Sequence, residues 1–346
     1  MTKITTLIVD QYGSYVGRRS ERIRVTLKRK VLVEAPVMFL EQVLITSKAI
    51  SISTDALALC AGQGIPVYYL SWKGTPYAAL YAAGLGGTVL TRRAQYAAYD
   101  DSRGLDLAVT FVTGKIQNQA RLLKYLAKSR REKSPECYAA LRQAAKKTQS
   151  QLLELKPWRK TAEERGLEAC RTQLLAVEGR AAHYYWGGLR HVLPEELAWP
   201  GRKRRGARDP FNSALNYGYG VLYGQVERAI LLAGLDPYAG FIHVDRPGKP
   251  SLVLDLIEEF RAPVVDRAIL GLIGQGVPLR RDDEGWLARE TRRAIAERVL
   301  HRLEESSERY ERKRQKLRWI LQSQARHLAT YLRGERAAYR PFLSGW

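Results

Sequence analysis

Residues 4–53 read ITTLIVDQYGSYVGRRSERIRVTLKRKVLVEAPVMFLEQVLITSKAISIS, short runs rich in valine, isoleucine and threonine, each broken by glycine, proline or charge. Side chains one residue apart face opposite sides of a strand, so alternation over such runs predicts a largely antiparallel strand array. Thr54 and Asp55 then lead into ALALCAGQG, a short capped helix ended by glycine, and IPVYYLS at 65–71 returns to a strand. The segment GTPYAALYAAGLGG at 74–87 closes this module, because glycines crowd its end and the pattern beyond changes period.

From Arg92 onward apolar positions recur every three or four residues. The segments LDLAVTFVTGKIQNQARLLKYLAKSR (105–130), SPECYAALRQAAKKTQSQLLEL (134–155), TAEERGLEACRTQLLAVEGRAAHYYWGGLRHVL (161–193) and FNSALNYGYGVLYGQVERAILLAGL (211–235) read as amphipathic helices with basic faces. Between the last two runs LPEELAWPGRKRRGARDP, and loops of that length tend to be functional or mobile. The fold class expected is α+β: a small amino-terminal β-rich domain over 1–88, then a larger, mostly α-helical catalytic domain over 89–346. A chain of 346 residues that is 45% hydrophobic can build cores for both.

Lys and Arg number 57 against 35 Asp and Glu, a formal charge of +22 spread along the chain. Self-repulsion of that size points to a polyanionic partner, nucleic acid first, with an anionic membrane surface or a ribosomal or architectural role behind it. Cys60, Cys137 and Cys170 are odd in number and widely spaced, which argues against a disulfide framework or a cysteine zinc site. No stretch approaches 18 uncharged apolar residues, so the expectation is a soluble, cytoplasmic protein without a membrane partner.

Three places concentrate polar groups that an ordinary core would not request. Glu178 lies in QLLAVEGRAAHYYW, one helical turn from Leu174, Leu175, Ala181 and Ala182. A carboxylate on such a face must be paired, protonated or metal-bound, and pairing with Arg171 or Arg180 is the ordinary alternative. His243 sits between a short apolar run and a turn built from Asp245, Pro247, Gly248 and Pro250. The helix that follows, SLVLDLIEEF, can be capped by Ser251 and places Asp255, Glu258 and Glu259 at i, i+3 and i+4, so that three carboxylates can share one side. A divalent cation relieves such crowding, and an imidazole with two carboxylates suits Mn2+, or Mg2+ with waters retained. Salt bridges from Arg261 and Arg267 to Asp255, Glu258 or Asp266 would relieve it equally well, and spacing on one helix does not show that Glu178 reaches the same point.

Arg202, Lys203, Arg204, Arg205 and Arg208 form a dense basic cluster in the proline-bounded loop, suited to holding a DNA backbone without reading bases. A solvated loop is the plain alternative. Tyr184, Tyr185, Trp186, Tyr217, Tyr219 and Tyr223 could stack on unpaired bases, although core packing accounts for such residues more simply. In ERKRQKLRWILQSQARHLATYLRGERAAYRPF (311–342), Leu317, Leu321, Ala325, Leu328 and Leu332 give a helical apolar face, with Arg312, Lys313, Arg314, Lys316, Arg318 and Arg326 around it as a phosphate-binding flank.

The segments GFIHVDRPGKPSLVLDLIEEFRAPVVDR (240–267), LLAVEGRAAHYYW (174–186) and DPFNSALNYGYGVLYG (209–224) together resemble the signature motifs of the CRISPR-associated adaptation integrases, the larger subunit of the spacer acquisition machine. The likeness extends to the strand module, to TGKIQNQ (113–119) as a helix start, and to the carboxy-terminal QARHLATYLRGERAAYRPF. It implies an amino-terminal domain that forms a homodimer and a helical domain with one Mg2+ or Mn2+ site. Glu178, His243 and Glu258 would be the ligands, Asp255 an auxiliary catalytic acid, and Asn212, Asn216 and Tyr219 supports. It also implies joining of a DNA duplex with single-stranded 3′ ends into CRISPR repeat DNA, by two dimers bridged by a dimer of a small ferredoxin-like partner in a heterohexamer. A stand-alone metal-dependent nuclease would use the same residues with water as nucleophile, and a basic architectural DNA-binding protein would use none of them.

Overall fold

The computed structural model describes residues 4–82, 89–158, 166–203 and 206–345. Its amino-terminal part holds two four-stranded sheets. One runs β1 (Thr6–Val9), β5 (Gln42–Ile45), β7 (Val67–Leu70), β8 (Pro76–Leu80), the other β4 (Lys30–Pro36), β3 (Arg22–Leu27), β2 (Tyr15–Arg19), β6 (Ser51–Ile52). The expected antiparallel pattern holds for β2–β3–β4 and for β7–β8, whereas β1–β5, β5–β7 and β2–β6 are parallel. The reason is topological. The β2–β3–β4 meander leaves as a separate sheet before β5 returns beside β1, and helix α1 (Thr54–Gly62) carries the chain across to β7, as a parallel neighbour requires. All four residues of β5 are buried, the signature of a strand covered on both faces. The helix is capped one residue earlier than expected, by Ser53, whose Oγ accepts from Ala56 N–H at 3.2 Å.

The chain beyond is helical: α2 (Val89–Ala97), α3 (Ser102–Lys128), α4 (Pro135–Ser150), α5 (Leu167–Arg190) and α6 (Pro210–Leu232). TGKIQNQ lies in the middle of α3, not at a helix start, because Asp101 caps that helix at Arg103 N–H. One apolar cluster fills the sandwich and a larger one the helices, and Leu44, Tyr68 and Leu70 belong to the larger. The β5–β7 sheet therefore packs its second face on the helical part. Among the described residues no helix is long and apolar enough to cross a membrane.

SLVLDLIEEF is not one regular helix. It forms α7 (Ser251–Leu256), a break at Ile257, α8 (Glu258–Phe260), a π turn (Arg261–Asp266) and then α9 (Arg267–Gly274). Pro263 lacks an N–H and cannot serve the carbonyl of Glu259 four residues back, and Asn118 Nδ2 donates to that carbonyl at 2.8 Å instead. Ser251 does not cap α7; it is buried, and its Oγ donates to Val244 O at 3.3 Å.

After α10 (Arg289–Glu305) the basic stripe also departs from expectation. Residues before Leu317 form a hairpin, β9 (Ser307–Tyr310) and β10 (Lys313–Lys316), turned by Glu311 and Arg312, both at positive φ. Helix α11 (Leu317–Leu332) then buries Leu317, Leu321, Ala325, Leu328 and Leu332 as anticipated.

Candidate functional site

Helix α3 brings Lys115, α5 brings Glu178 and α8 brings Glu258 to one wall of a cavity of about 860 Å³. The Lys115 ammonium is hydrogen-bonded to Glu178 and stands 2.8 Å from Glu258 Oε2, while Arg261 Nη1 lies 2.7 Å from Glu258 Oε1. The ordinary partners foreseen for Glu178 are engaged elsewhere: Arg171 pairs with Glu168, and Arg180 with Glu154 at 2.6 Å. Burial alone would lower the Lys115 ammonium, but Glu178 and Glu258 outweigh it and hold it above its ordinary value. Burial alone would raise the Glu258 carboxyl, and Arg261, Lys115 and His243 outweigh it and hold it below the usual range. Glu258 Oε2 is nevertheless buried without a well-directed hydrogen bond.

Asp255 is fully buried and points away from this wall. Its Oδ2 accepts from the backbone N–H of Phe241 (2.6 Å) and Ile242 (3.0 Å), and its Oδ1 from His243 N–H (3.1 Å). The same Oδ1 lies 2.7 Å from His243 Nδ1. A carboxylate on one ring nitrogen fixes the imidazole's tautomer and aims the other outward. Glu259 diverges again, accepting from Tyr339 Oη and Gln324 Nε2 (both 2.7 Å) and from Phe342 N–H (2.8 Å), which straps the carboxy-terminal segment to the helix. The three acids therefore do not share one side: Asp255 faces the 241–243 loop, Glu259 the carboxy-terminal segment, and only Glu258 the cavity. Among the described residues no three His, Cys, Asp or Glu side chains close on a single point. The structure brings Glu178 and Glu258 together through Lys115, and keeps His243 with Asp255 beside them.

The loop before α6 lines the same cavity with Arg202, Gly206, Ala207 and Arg208. Arg202 is tied down, donating to Asn212 Oδ1 (3.0 Å) and Asn216 Oδ1 (2.8 Å) and lying over the rings of Trp186 and Tyr219. Asn212 also accepts from Lys203 N–H, and Tyr219 Oη donates to Asp266, so these residues shape the wall. Asp266, buried and also hydrogen-bonded by Tyr185, has its carboxyl pushed up to about 6 by desolvation. Lys203 and Arg208 are exposed, Arg326 is exposed on α11 away from the cavity lining, and Arg204 and Arg205 lie outside the described residues. Trp186, Tyr219 and Tyr223 line the cavity, whereas Tyr185 and Tyr217 are core.

Two contributors were not singled out from the sequence. Lys115 carried a signal, a lone lysine one turn from the apolar Phe111 and Val112 of α3. The β7–β8 turn carried little. Its Gly74, at φ +78°, meets α6 so closely that a Cβ on Gly220 would fall 1.5 Å from Gly74 O, and it places Trp72 and Lys73 on the cavity wall.

Comparison with known proteins places this geometry among relatives. The family model described as "CRISPR associated protein Cas1" matches residues 7–327. A CRISPR-associated endonuclease Cas1 of Archaeoglobus fulgidus is 38% identical over 351 residues, covering 98% of this chain and 99% of its own. Among solved structures, a casposase bound to integration product superposes with a TM-score of 0.79 at 22% identity, covering 97% of this chain and 93% of that one. A chain of a Cas6-RT-Cas1–Cas2 complex covers all of this chain with 37% of its own length, at a TM-score of 0.73 and 21% identity.

Proposed function

The chain belongs to the Cas1 family of CRISPR-associated proteins, and from that premise we propose that it is a divalent-metal-dependent DNA endonuclease and integrase, inserting short DNA fragments into a CRISPR repeat array by 3′-hydroxyl attack on phosphodiesters. The observation that carries the reading is the convergence of Glu178 and Glu258 on one cationic group at the wall of a basic cavity.

The donor set fits Mg2+ or Mn2+. Glu178 and Glu258 would hold the ion together with His243, whose ring Asp255 fixes through Nδ1. Such an ion, when bound, polarises a phosphoryl oxygen and eases deprotonation of an attacking hydroxyl. The chain's own residues supply the rest. Asp255 is a positioning residue, holding the 241–243 backbone and the imidazole in one geometry. Lys115 and Arg261 balance the repulsion between the two glutamates and keep positive charge where phosphate oxygens would lie. Arg202 is pinned by Asn212 and Asn216 and so presents a fixed charge, while exposed Arg208 and Lys203 can follow the backbone electrostatically. No covalent protein intermediate is needed. The casposase bound to integration product and the Cas1-containing chain in complex with Cas2 support strand joining and association with a partner protein; in this reading that partner is small and ferredoxin-like, and its dimer bridges two homodimers of this chain.

One observation favours a different reading: Lys115 and Arg261 already neutralise Glu178 and Glu258, as a structural ion cluster in an architectural DNA-binding protein would. The purified chain, offered a duplex with free 3′ ends and a supercoiled repeat-bearing plasmid, with and without the partner, decides between them. Joined product that requires Mn2+ or Mg2+ and vanishes in Glu258→Gln is expected. Nicking without joining leaves a nuclease, and inactivity of the parent with every metal leaves the architectural role.

A further inference from the structure

Trp72 and Trp286 stand at the cavity wall with their ring centroids 3.8 Å apart, 62° between the planes. Neither indole belongs to the apolar clusters of the two cores, and both are half-buried. Lys73 Nζ lies over both rings, 4.6 Å from the Trp72 centroid and 4.8 Å from that of Trp286, and the Arg208 guanidinium lies 5.6 Å from the Trp286 ring. Two large aromatic side chains held out of the core and flanked by cations are a costly arrangement for a surface with nothing to bind.

Both indoles sit on locked backbone. In the β7–β8 turn Gly74 N–H donates to Ser71 O and Ser71 N–H to Thr75 O, both at 2.8 Å, and the Gly74–Gly220 approach fixes that turn on α6. On the other side Asp282 N–H donates to Trp286 O at 2.7 Å, Trp286 N–H donates to Asp282 Oδ1 at 2.8 Å, and Arg281 bridges to Leu287. An indole braced by a second one from a turn far away in sequence, one from each part of the molecule, needs little further ordering when a flat ligand stacks on its face.

We propose that the Trp72–Trp286 pair offers one indole face, braced by the other ring set at 62° to it, to an unpaired nucleobase of the DNA strand end entering the cavity, with Lys73 and Arg208 receiving the flanking phosphates. The inference rests on reading the cavity as a DNA strand site. A base inside a duplex has both faces covered by its neighbours, so only an unpaired one can use an indole face, and stacking tolerates any base because every base has a π face. Cations that now cover the rings move to phosphate as the base takes their place.

The test is equilibrium binding by the full chain in EDTA, which makes it independent of metal and of strand joining. A fluorescein-labelled duplex with 3′ overhangs is compared with the same duplex whose overhang nucleotides are abasic. The parent is expected to prefer the base-bearing overhang by about 5- to 150-fold, the span for stacking one base. Trp72→Ala and Trp286→Ala are expected to lose that preference, and Trp286→Phe to keep most of it. In the parent, 2-aminopurine stepped along the overhang should be quenched at one position. Equal affinity for the abasic overhang, or alanine variants with native circular dichroism that retain the preference, overturns the proposal. A chain that discriminates bases in EDTA yet never joins strands would keep the stacking site and lose the integrase reading.

Discussion

Lys115→Met keeps the bulk of the side chain and deletes the ammonium that Glu178 and Glu258 share. Only 12% of the Lys115 side chain and 6% of Glu258 are exposed, so water can replace little of the lost charge. Removing one partner of a buried ion pair costs about 3–5 kcal/mol. Arg261 still faces Glu258, and Glu178 is 23% exposed, which places the loss at the low end, about 3 kcal/mol. An unfolding entropy of about 2.1 cal/mol/K per residue over the 346-residue chain sums to about 0.7 kcal/mol/K, so the midpoint should fall by about 4 °C. If Glu178, His243 and Glu258 hold a divalent cation, Mn2+ at 100 times its Kd returns about 2.7 kcal/mol, nearly the whole loss. Thermal melts of parent and variant in EDTA, then against a Mn2+ titration, read both quantities without any enzymatic step. A variant that melts with the parent in EDTA refutes the electrostatic reasoning, and one that is destabilised but gains nothing from Mn2+ refutes the ligand assignment.

Asp255→Asn leaves one acceptor oxygen for three backbone N–H groups and the His243 ring, so about 2–4 kcal/mol of stability should go, together with about 10- to 100-fold in Mn2+ affinity by calorimetry; unchanged affinity would remove its positioning role. Gly220→Ala places a Cβ 1.5 Å from Gly74 O, an overlap of backbone that no rotamer relieves. The β7–β8 turn must lift, at about 1–3 kcal/mol, and lose hydrogen-exchange protection over residues 71–76; parental protection would show the contact to be unimportant. Asp266 has a folded-state carboxyl raised from 3.8 to about 6 by burial, so the folded protein binds that proton more tightly than the unfolded chain does. Its stabilising protonation is complete below pH 3.8 and lost as pH rises through about 6, a swing of at most about 3 kcal/mol. Asp266→Asn should therefore compare better with the parent at pH 7 than at pH 4.5, and a pH-independent difference in melting temperature would contradict the assignment.

The helical half was legible because 3.6-residue periodicity is written locally: α3, α5, α6 and the apolar face of α11 follow from it directly. Strand positions were legible for the same reason, but strand partners were not. Nothing in TLIV or QVLI says that they lie side by side and parallel; that follows from a meander placed between them. The β9–β10 hairpin was hidden because SERYERKRQK has neither alternation nor glycine, and its turn is made by Glu311 and Arg312 at positive φ. At the site, Glu178 and Glu258 could be named as candidates from residue type and apolar context. Their common partner could not, because Lys115 is 63 residues from Glu178, and only the packing of α3 on α5 brings the two together.

That packing also relocates the demand for a cation. Asp255, Glu258 and Glu259 fall within five residues, and on a regular helix their mutual repulsion would itself call for a metal. In this fold each acid has a separate destination. Asp255 takes the donors of the 241–243 loop, Glu259 takes Tyr339, Gln324 and Phe342 N–H, and only Glu258 turns to the cavity. Two of the three charges are met by dedicated hydrogen bonds, so the triplet is not the cation site. The demand for positive charge arises instead between helices, where Glu258 confronts Glu178 and Lys115 and Arg261 answer it, and the strap and loop held by its neighbours fix where that confrontation occurs. Asn118 ties this together. Three residues after Lys115 on α3, it serves the carbonyl that Pro263 leaves without a donor and receives Ser344 N–H at 3.0 Å, so the backbone carrying Glu258 and the helix carrying Lys115 are clamped by one side chain. The placing of Glu258 against Lys115 thus depends on contacts spanning more than 200 residues of chain, which is why the residue types were readable in advance and their geometry was not.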